Sequence, residues 1–277
     1  MPEGHTLHRL AGALREQFAG ARVAVSSPQG RFVESAALLD GTPLVGAEAW
    51  GKHLFVEFEG EHFIHVHLGL IGKFDVFQTP APAPVGQVRL RIAGESGYAD
   101  LRGATACDLF TESQRQMVVD RLGPDPLRAD AVPEAAWRGV SRSHRPIGEL
   151  VMDQEVLAGV GNVYRAELLF RHRIDPLRPG RTLRRGQWEA MWRDLVELME
   201  YGVRTGRIDT VRDEHTPEAM HRPPRKDDHG GEVYVYRRHG QPCLVCGSKV
   251  RTEVLAARNL FWCPRCQPRF RSRSRAA

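Results

Sequence analysis

The sequence predicts an α+β fold, with an N-terminal helix and β-sandwich domain followed by a helical domain that ends in a small cysteine-bearing ribbon. Three observations carry that expectation. Apolar residues recur at helical spacing from Thr6 to Phe18, strand-like alternation fills much of the stretch up to residue 120, and the helical period returns after Leu122. Four of the five cysteines then fall near the C-terminal end as Cys243-x2-Cys246 and Cys263-x2-Cys266.

Leu7, Leu10, Leu14 and Phe18 line one face of the first helix. His53 to Phe58 and Phe63 to Leu68, joined by Glu59-Gly60-Glu61, form a hairpin pattern. Val88 to Ile92 alternates cleanly and turns at Gly94 to Gly97 toward Tyr98 to Leu101. Thr79-Pro80-Ala81-Pro82-Ala83-Pro84 cannot join a ladder and reads as a surface loop. Beyond Leu122-Gly123-Pro124, Pro146 suits the first turn of a short helix through Met152. Val163 to Arg171 makes a second helix, and Trp188, Met191, Trp192, Leu195 and Met199 line a third. The polar, Pro-rich stretch 212–231 reads as a mobile loop. The expected divisions are 1–125, 126–230, 231–267 and a basic tail, 268–277.

Each C-x-x-C places two thiolates on one knuckle, and two knuckles on facing hairpins close a tetrahedral Zn2+ site. Val250, Val254, Leu255 and Phe261 supply the apolar strand positions between them. Two disulfides are the competing reading, but they suit small secreted chains, and this sequence opens without a secretory leader. The expectation is one structural zinc on Cys243, Cys246, Cys263 and Cys266, with Cys107 a buried thiol. No apolar run approaches the roughly 20 residues of a membrane span, so a soluble, cytoplasmic protein is expected. The net charge of +5, with Arg258, Arg265, Arg269, Arg271, Arg273 and Arg275 crowding the ribbon and tail, points to a polyanion partner.

Gln154 to Tyr164 joins two helices through a glycine-rich turn, where Gly159 and Gly161 permit unusual φ and close approach. The helix that follows offers unsatisfied N–H groups to a phosphate, with Asn162 as a side-chain donor. Together with the opening Met1-Pro2-Glu3-Gly4 and the ribbon ending Arg258-Asn259-Leu260-Phe261-Trp262-Cys263-Pro264-Arg265-Cys266-Gln267, this turn resembles the formamidopyrimidine-DNA glycosylase and endonuclease VIII family of DNA repair enzymes. The likeness runs from Pro2 to Gln267, and the glycine turn looks like that family's helix–two-turn–helix.

The resemblance implies a bifunctional glycosylase and abasic-site lyase acting as a monomer on DNA with oxidised bases or abasic sites. Removal of Met1 exposes Pro2 as a secondary amine; an α-amino group, with a pKa of about 7.7–8.0, is partly neutral near pH 7. Pro2 is then the nucleophile on C1′, Glu3 the proton shuttle, and Lys52 the hairpin lysine that contacts a phosphate and donates a proton in β-elimination. Arg258 clamps the lesion phosphate and takes part in δ-elimination, with Asn162 and Gly161 completing that grip. Arg121 matches a DNA-contacting arginine, while Leu70 and then Ile71 are the wedges that fill the space left by a flipped base.

Glu3-Gly4 and the short stretch Asp100-Leu101-Arg102-Gly103 lean toward the endonuclease VIII branch and oxidised pyrimidines. His5 and Thr6 stand where relatives often carry a second acidic residue. His62, His65 and His67 read as the polar face of a strand rather than a metal site. The rival readings are an 8-oxoguanine-directed enzyme, a lyase without glycosylase action, and a non-catalytic zinc-ribbon binder of damaged DNA.

Overall fold

The computed structural model describes residues 2–95, 97–226 and 231–271. Arg273 and Arg275 of the basic tail, and 227–230 of the Pro-rich stretch, lie outside the described residues. The chain divides into two compact units, Met1–Leu122 and Gly123–Ala277.

The first unit opens with α1 (Gly4–Phe18), which buries Leu7, Leu10, Leu14 and Phe18 as its spacing predicts. The strands are β1 (Ala24–Ser26), β2 (Leu44–Trp50), β3 (His53–Phe58), β4 (His62–His67), β5 (Lys73–Phe77), β6 (Leu90–Ala93), β7 (Tyr98–Arg102) and β8 (Ala106–Thr111). They form two four-stranded antiparallel sheets, ordered β1-β6-β7-β5 and β2-β3-β4-β8. Their facing apolar residues, among them Val56, Ile64, Val66, Leu90, Ile92 and Leu101, close one core with α1.

Two short helices break the all-strand reading of this stretch: α2 (Val33–Leu39) and α3 (Glu112–Val119). α2 buries only Ala36 and Leu39, too little to show a period. α3 carries a local signal in Thr111 and Gln114, which form a capping box at its start.

The histidine reading also needs correcting. His62 is exposed, but His65 is buried between Phe55 and Phe110, with ring centroids 5.2 and 4.5 Å away. That sheet face also carries Phe63 and is covered by Val119 of α3, so His65 is enclosed among aromatic rings rather than set on a solvated polar face.

The second unit contains α4 (Pro133–Ser141), α5 (Ile147–Leu150), α6 (Asn162–Arg171) and α7 (Arg185–Thr205). α5 is a single turn, shorter than the expected helix to Met152. Leu157, Val160, Leu169, Met191, Leu195 and Met199 make the core between the helices. Residues 233–236 run through it, and the amides of Tyr234, Val235 and Tyr236 donate to the buried Glu167 of α6. Glu232 and Tyr234 also hold the Pro-rich stretch: Arg222 donates to Glu232 at 2.7 Å, and the Arg212 amide to the Tyr234 hydroxyl at 2.9 Å. Composition marks that stretch as a loop but cannot show these bonds. The unit ends in the ribbon β9 (Arg251–Leu255) and β10 (Arg258–Trp262). Val250 and Phe261 are buried there, whereas Val254, expected as an apolar strand position, is 71% exposed. Val254 pairs with Asn259 next to the ribbon's turn, beyond the buried Phe261, which pairs with Thr252.

Candidate active site and metal centre

Pro2 is half-buried, and Glu3 is the extended residue that caps α1. Glu3 has no exposed surface, and its side chain makes no capping bond to the helix. The first turn of α1 holds no acidic residue, so the positive end of the helix acts undiluted on the groups before it. One turn in, burial lowers His5 to about 4, so it is neutral at pH 7.

Lys52 lies in the two-residue turn between β2 and β3, immediately before β3 begins at His53. Gly51 takes the left-handed φ (+57°) that such a hairpin turn needs at its first position, with Trp50 paired to His53 across it. The ammonium is close enough to act on neighbouring imidazoles: burial first, then the other histidines and Lys52, lowers His53 to about 3. Burial and Lys52 likewise lower His67.

Leu70 and Ile71 project from the turn between β4 and β5, 57% and 81% exposed. Gly69 (φ +68°) shapes that turn, and a Cβ there would collide with the Thr105 hydroxyl. Arg121 is exposed just beyond α3, its amide bonded to the Val118 carbonyl at 3.3 Å.

In the second unit the left-handed residue of the glycine turn is Gly159 (φ +86°); Gly161, the N-cap of α6, is extended and needs no special φ. Gln154 holds the turn, its amide nitrogen donating to the Met152 and Val160 carbonyls at 2.9 Å each and its oxygen accepting from Gly159 N at 3.0 Å. Asn162, the first residue of α6, donates through Nδ2 to the Asn259 carbonyl at 3.0 Å. Asn259 follows Arg258, so glycine turn and ribbon meet where their two phosphate-binding candidates stand. Arg258 is exposed at the start of β10, beside a two-residue turn in which Ala256 and Ala257 have φ of +49° and +58°. Gln154 and Asn259 escaped the sequence reading, since an amide that braces a turn leaves no composition signal.

The four ribbon cysteines converge, with all Sγ atoms within 4.8 Å of one another. Cys243 and Cys266 are 3.8 Å apart, Cys246 and Cys263 3.4 Å. Tetrahedral zinc with Zn–S bonds of about 2.3 Å requires sulfurs about 3.8 Å apart, so the set fits one ion. Four thiolates leave no open coordination position, and the site is structural. Gln267 fastens the ribbon below it, accepting from Cys263 N at 3.0 Å and donating to the Ile174 carbonyl at 2.9 Å.

Comparison with known proteins agrees with this arrangement. Residues 1–107 match the formamidopyrimidine-DNA glycosylase N-terminal domain, 122–213 that family's H2TH domain, and 240–269 the zinc finger found in FPG and IleRS. The chain belongs to the formamidopyrimidine-DNA glycosylase family. Endonuclease 8 1 of Mycobacterium tuberculosis is 54% identical over 274 residues, 96% of this chain and 100% of that one. The formamidopyrimidine-DNA glycosylase of Thermus thermophilus is 32% identical, covering 83% of this chain and 85% of its own. Among solved structures, a formamidopyrimidine-DNA glycosylase from Thermus thermophilus has a TM-score of 0.73 at 29% identity, covering 96% and 98% of the two chains. The Lactococcus lactis enzyme, in complex with DNA containing N7-benzyl-Fapy-dG, shares the fold with a TM-score of 0.77 at 20% identity, over 97% of this chain and 100% of that one. As a formamidopyrimidine-DNA glycosylase family member, the protein is a DNA glycosylase of base excision repair with one structural zinc site. No helix among the described residues is long and apolar enough to cross a membrane.

Proposed function

We propose that this protein is a bifunctional glycosylase and abasic-site lyase that prefers oxidised pyrimidines and works as a monomer on damaged DNA. The observation that carries the reading is Glu3, a carboxylate with no exposed surface at the positive end of α1, immediately after Pro2. With Met1 removed, the Pro2 amine attacks C1′ of the lesion sugar as Glu3 relays the proton, and the base leaves. The resulting iminium acidifies the C2′ hydrogen, and loss of that proton breaks the 3′ C–O bond; Lys52 donates a proton during this β-elimination. Arg258 and Asn162, with the turn at Gly161, hold the lesion phosphate, and Arg258 assists the second elimination. Arg121 contacts the DNA backbone, and Leu70 and Ile71 fill the vacated stack. The zinc site keeps Arg258 in place and does no chemistry.

The pyrimidine preference draws on the 54% identity to an endonuclease 8 and on the short link from β7 to β8, residues 103–105, which leaves little chain to fill the space opposite a flipped purine. Borohydride trapping tests the reading, using duplexes with an abasic site, thymine glycol or 8-oxoguanine and peptide mapping of the adduct. An adduct on Pro2, formed faster with thymine glycol than with 8-oxoguanine, is expected. No adduct from zinc-loaded protein lacking Met1 would leave a non-catalytic binder. A preference for 8-oxoguanine would move the enzyme to the other branch.

A further inference from the structure

Arg165 is the largest fully buried side chain among the described residues and lies one turn into α6 from Asn162. Its Nη2 donates to the Asn162 side-chain oxygen and, at 2.9 Å, to the Asn259 carbonyl. Asn162 therefore sits between two partners that each accept only one end of its amide. A guanidinium has no acceptor, so the amide atom facing it must be the oxygen. A main-chain carbonyl has no donor, so the atom facing Asn259 must be the nitrogen, as the 3.0 Å bond from Nδ2 shows. One hydrogen of the amide nitrogen is used by Asn259, and among the described residues the second meets no other acceptor.

We infer that Arg165 is a positioning residue for DNA binding: it locks the Asn162 amide so that an N–H, and never the carbonyl oxygen, faces the phosphate. The inference rests on the proposed role of Asn162 in the phosphate grip and adds the group that makes this role possible. Without Arg165 the amide is held by the Asn259 carbonyl alone, and turning its oxygen toward an anion no longer breaks a charge-assisted hydrogen bond. The same guanidinium donates to the Asn259 carbonyl, the acceptor that also holds Asn162 Nδ2, so its second bond fixes that acceptor for the same amide. Lysine does not reproduce it, because an ammonium lacks the second arm, Nη1, which donates to the Gly148 carbonyl at 3.4 Å and fixes the plane from which Nη2 reaches Asn162.

The test is a double-mutant cycle on the zinc-loaded full-length protein, read as affinity for a duplex with a tetrahydrofuran abasic analogue. N162A and R165K are each expected to weaken binding about tenfold, the scale of one lost bond to a charged group. The double variant should bind no more weakly than N162A alone, since Arg165 acts through that amide. Losses that multiply in the double variant, or an R165K that binds like the native protein while N162A does not, would overturn the inference and leave the phosphate grip standing. Full affinity in N162A would sink the grip itself, and this inference with it. N162D provides a second reading should R165K fold poorly, because it keeps an oxygen toward Arg165 and replaces the outward N–H by another oxygen. It should bind about tenfold more weakly than N162A; binding equal to or tighter than N162A would overturn the proposal.

Discussion

His53 Nδ1 lies 2.9 Å from His65 Nε2, so the two imidazoles share a single proton between them on the outer face of the β2-β3-β4-β8 sheet. Burial lowers His65 to about 4 and, with its charged neighbours, His53 to about 3. An unfolded histidine titrates near 6.5, so below that pH the unfolded chain takes up protons that the folded one refuses. Stability should therefore fall as pH drops from 6.5 toward 4, with His5 contributing over the same window. Urea midpoints at pH 7, 6 and 5 check this. H65F should lose about 1 kcal/mol at pH 7 with its hydrogen bond, yet show a shallower acid dependence. An equally steep profile in H65F would assign the acid sensitivity elsewhere.

Glu167 accepts from the amides of Tyr234, Val235 and Tyr236 at 2.7, 2.8 and 2.8 Å, and from the Thr210 hydroxyl at 2.6 Å. E167A leaves those buried donors without an acceptor. A loss of about 3 kcal/mol or more in denaturant stability is expected, together with weaker zinc retention, because residues 233–236 lead directly into the ribbon. Stability within about 0.5 kcal/mol of the native protein would mean that water replaces the carboxylate.

Zinc removal should act on DNA binding and strand cleavage together. Chelation, or C263S, is expected to release the ion, melt the ribbon that carries Arg258, and abolish both activities. Metal content, duplex binding and lyase rate measured on one sample decide it. Zinc-free protein that still binds and cleaves would separate Arg258 from the phosphate grip.

The turn between β4 and β5 offers a separation of function from stability. L70A removes an exposed side chain and should change stability by no more than about 0.5 kcal/mol. Excision of a paired oxidised base is expected to fall about tenfold, while cleavage at a ready-made abasic site changes less, since no base then has to be displaced. G69A should instead destabilise the protein, because the added methyl collides with Thr105 at a left-handed φ. Equal losses on both substrates in L70A would remove its role as a wedge.

Much of the fold was legible because its signals are periodic or punctuated. α1, the β3–β4 hairpin, α6 and α7 each follow from a repeat of apolar positions, and the metal site follows from two cysteine pairs at a fixed spacing. α2 and α3 were hidden because seven or eight residues with one or two buried positions carry no measurable period. His65 was misjudged because its burial comes from Phe110 and α3, contacts far along the chain. Lys52, Asn162 and Arg258 could be named from motif resemblance. Arg165, Gln154 and Asn259 work by hydrogen bonds made after folding, and no local pattern announces them.

The Glu167 bonds have a consequence for synthesis of the protein. They span 68 residues to Val235 and 69 to Tyr236, and the Asn162–Asn259 bond spans 97. While the ribosome is still making the segment after α7, the helices are already out, but their central carboxylate has no partners and their packing is unfinished. A nascent chain that stalls there exposes apolar helix faces and is vulnerable to aggregation and proteolysis. The four zinc cysteines follow α7 in the chain, so zinc capture comes after the helices have been made and is the step that commits the second unit to its native form.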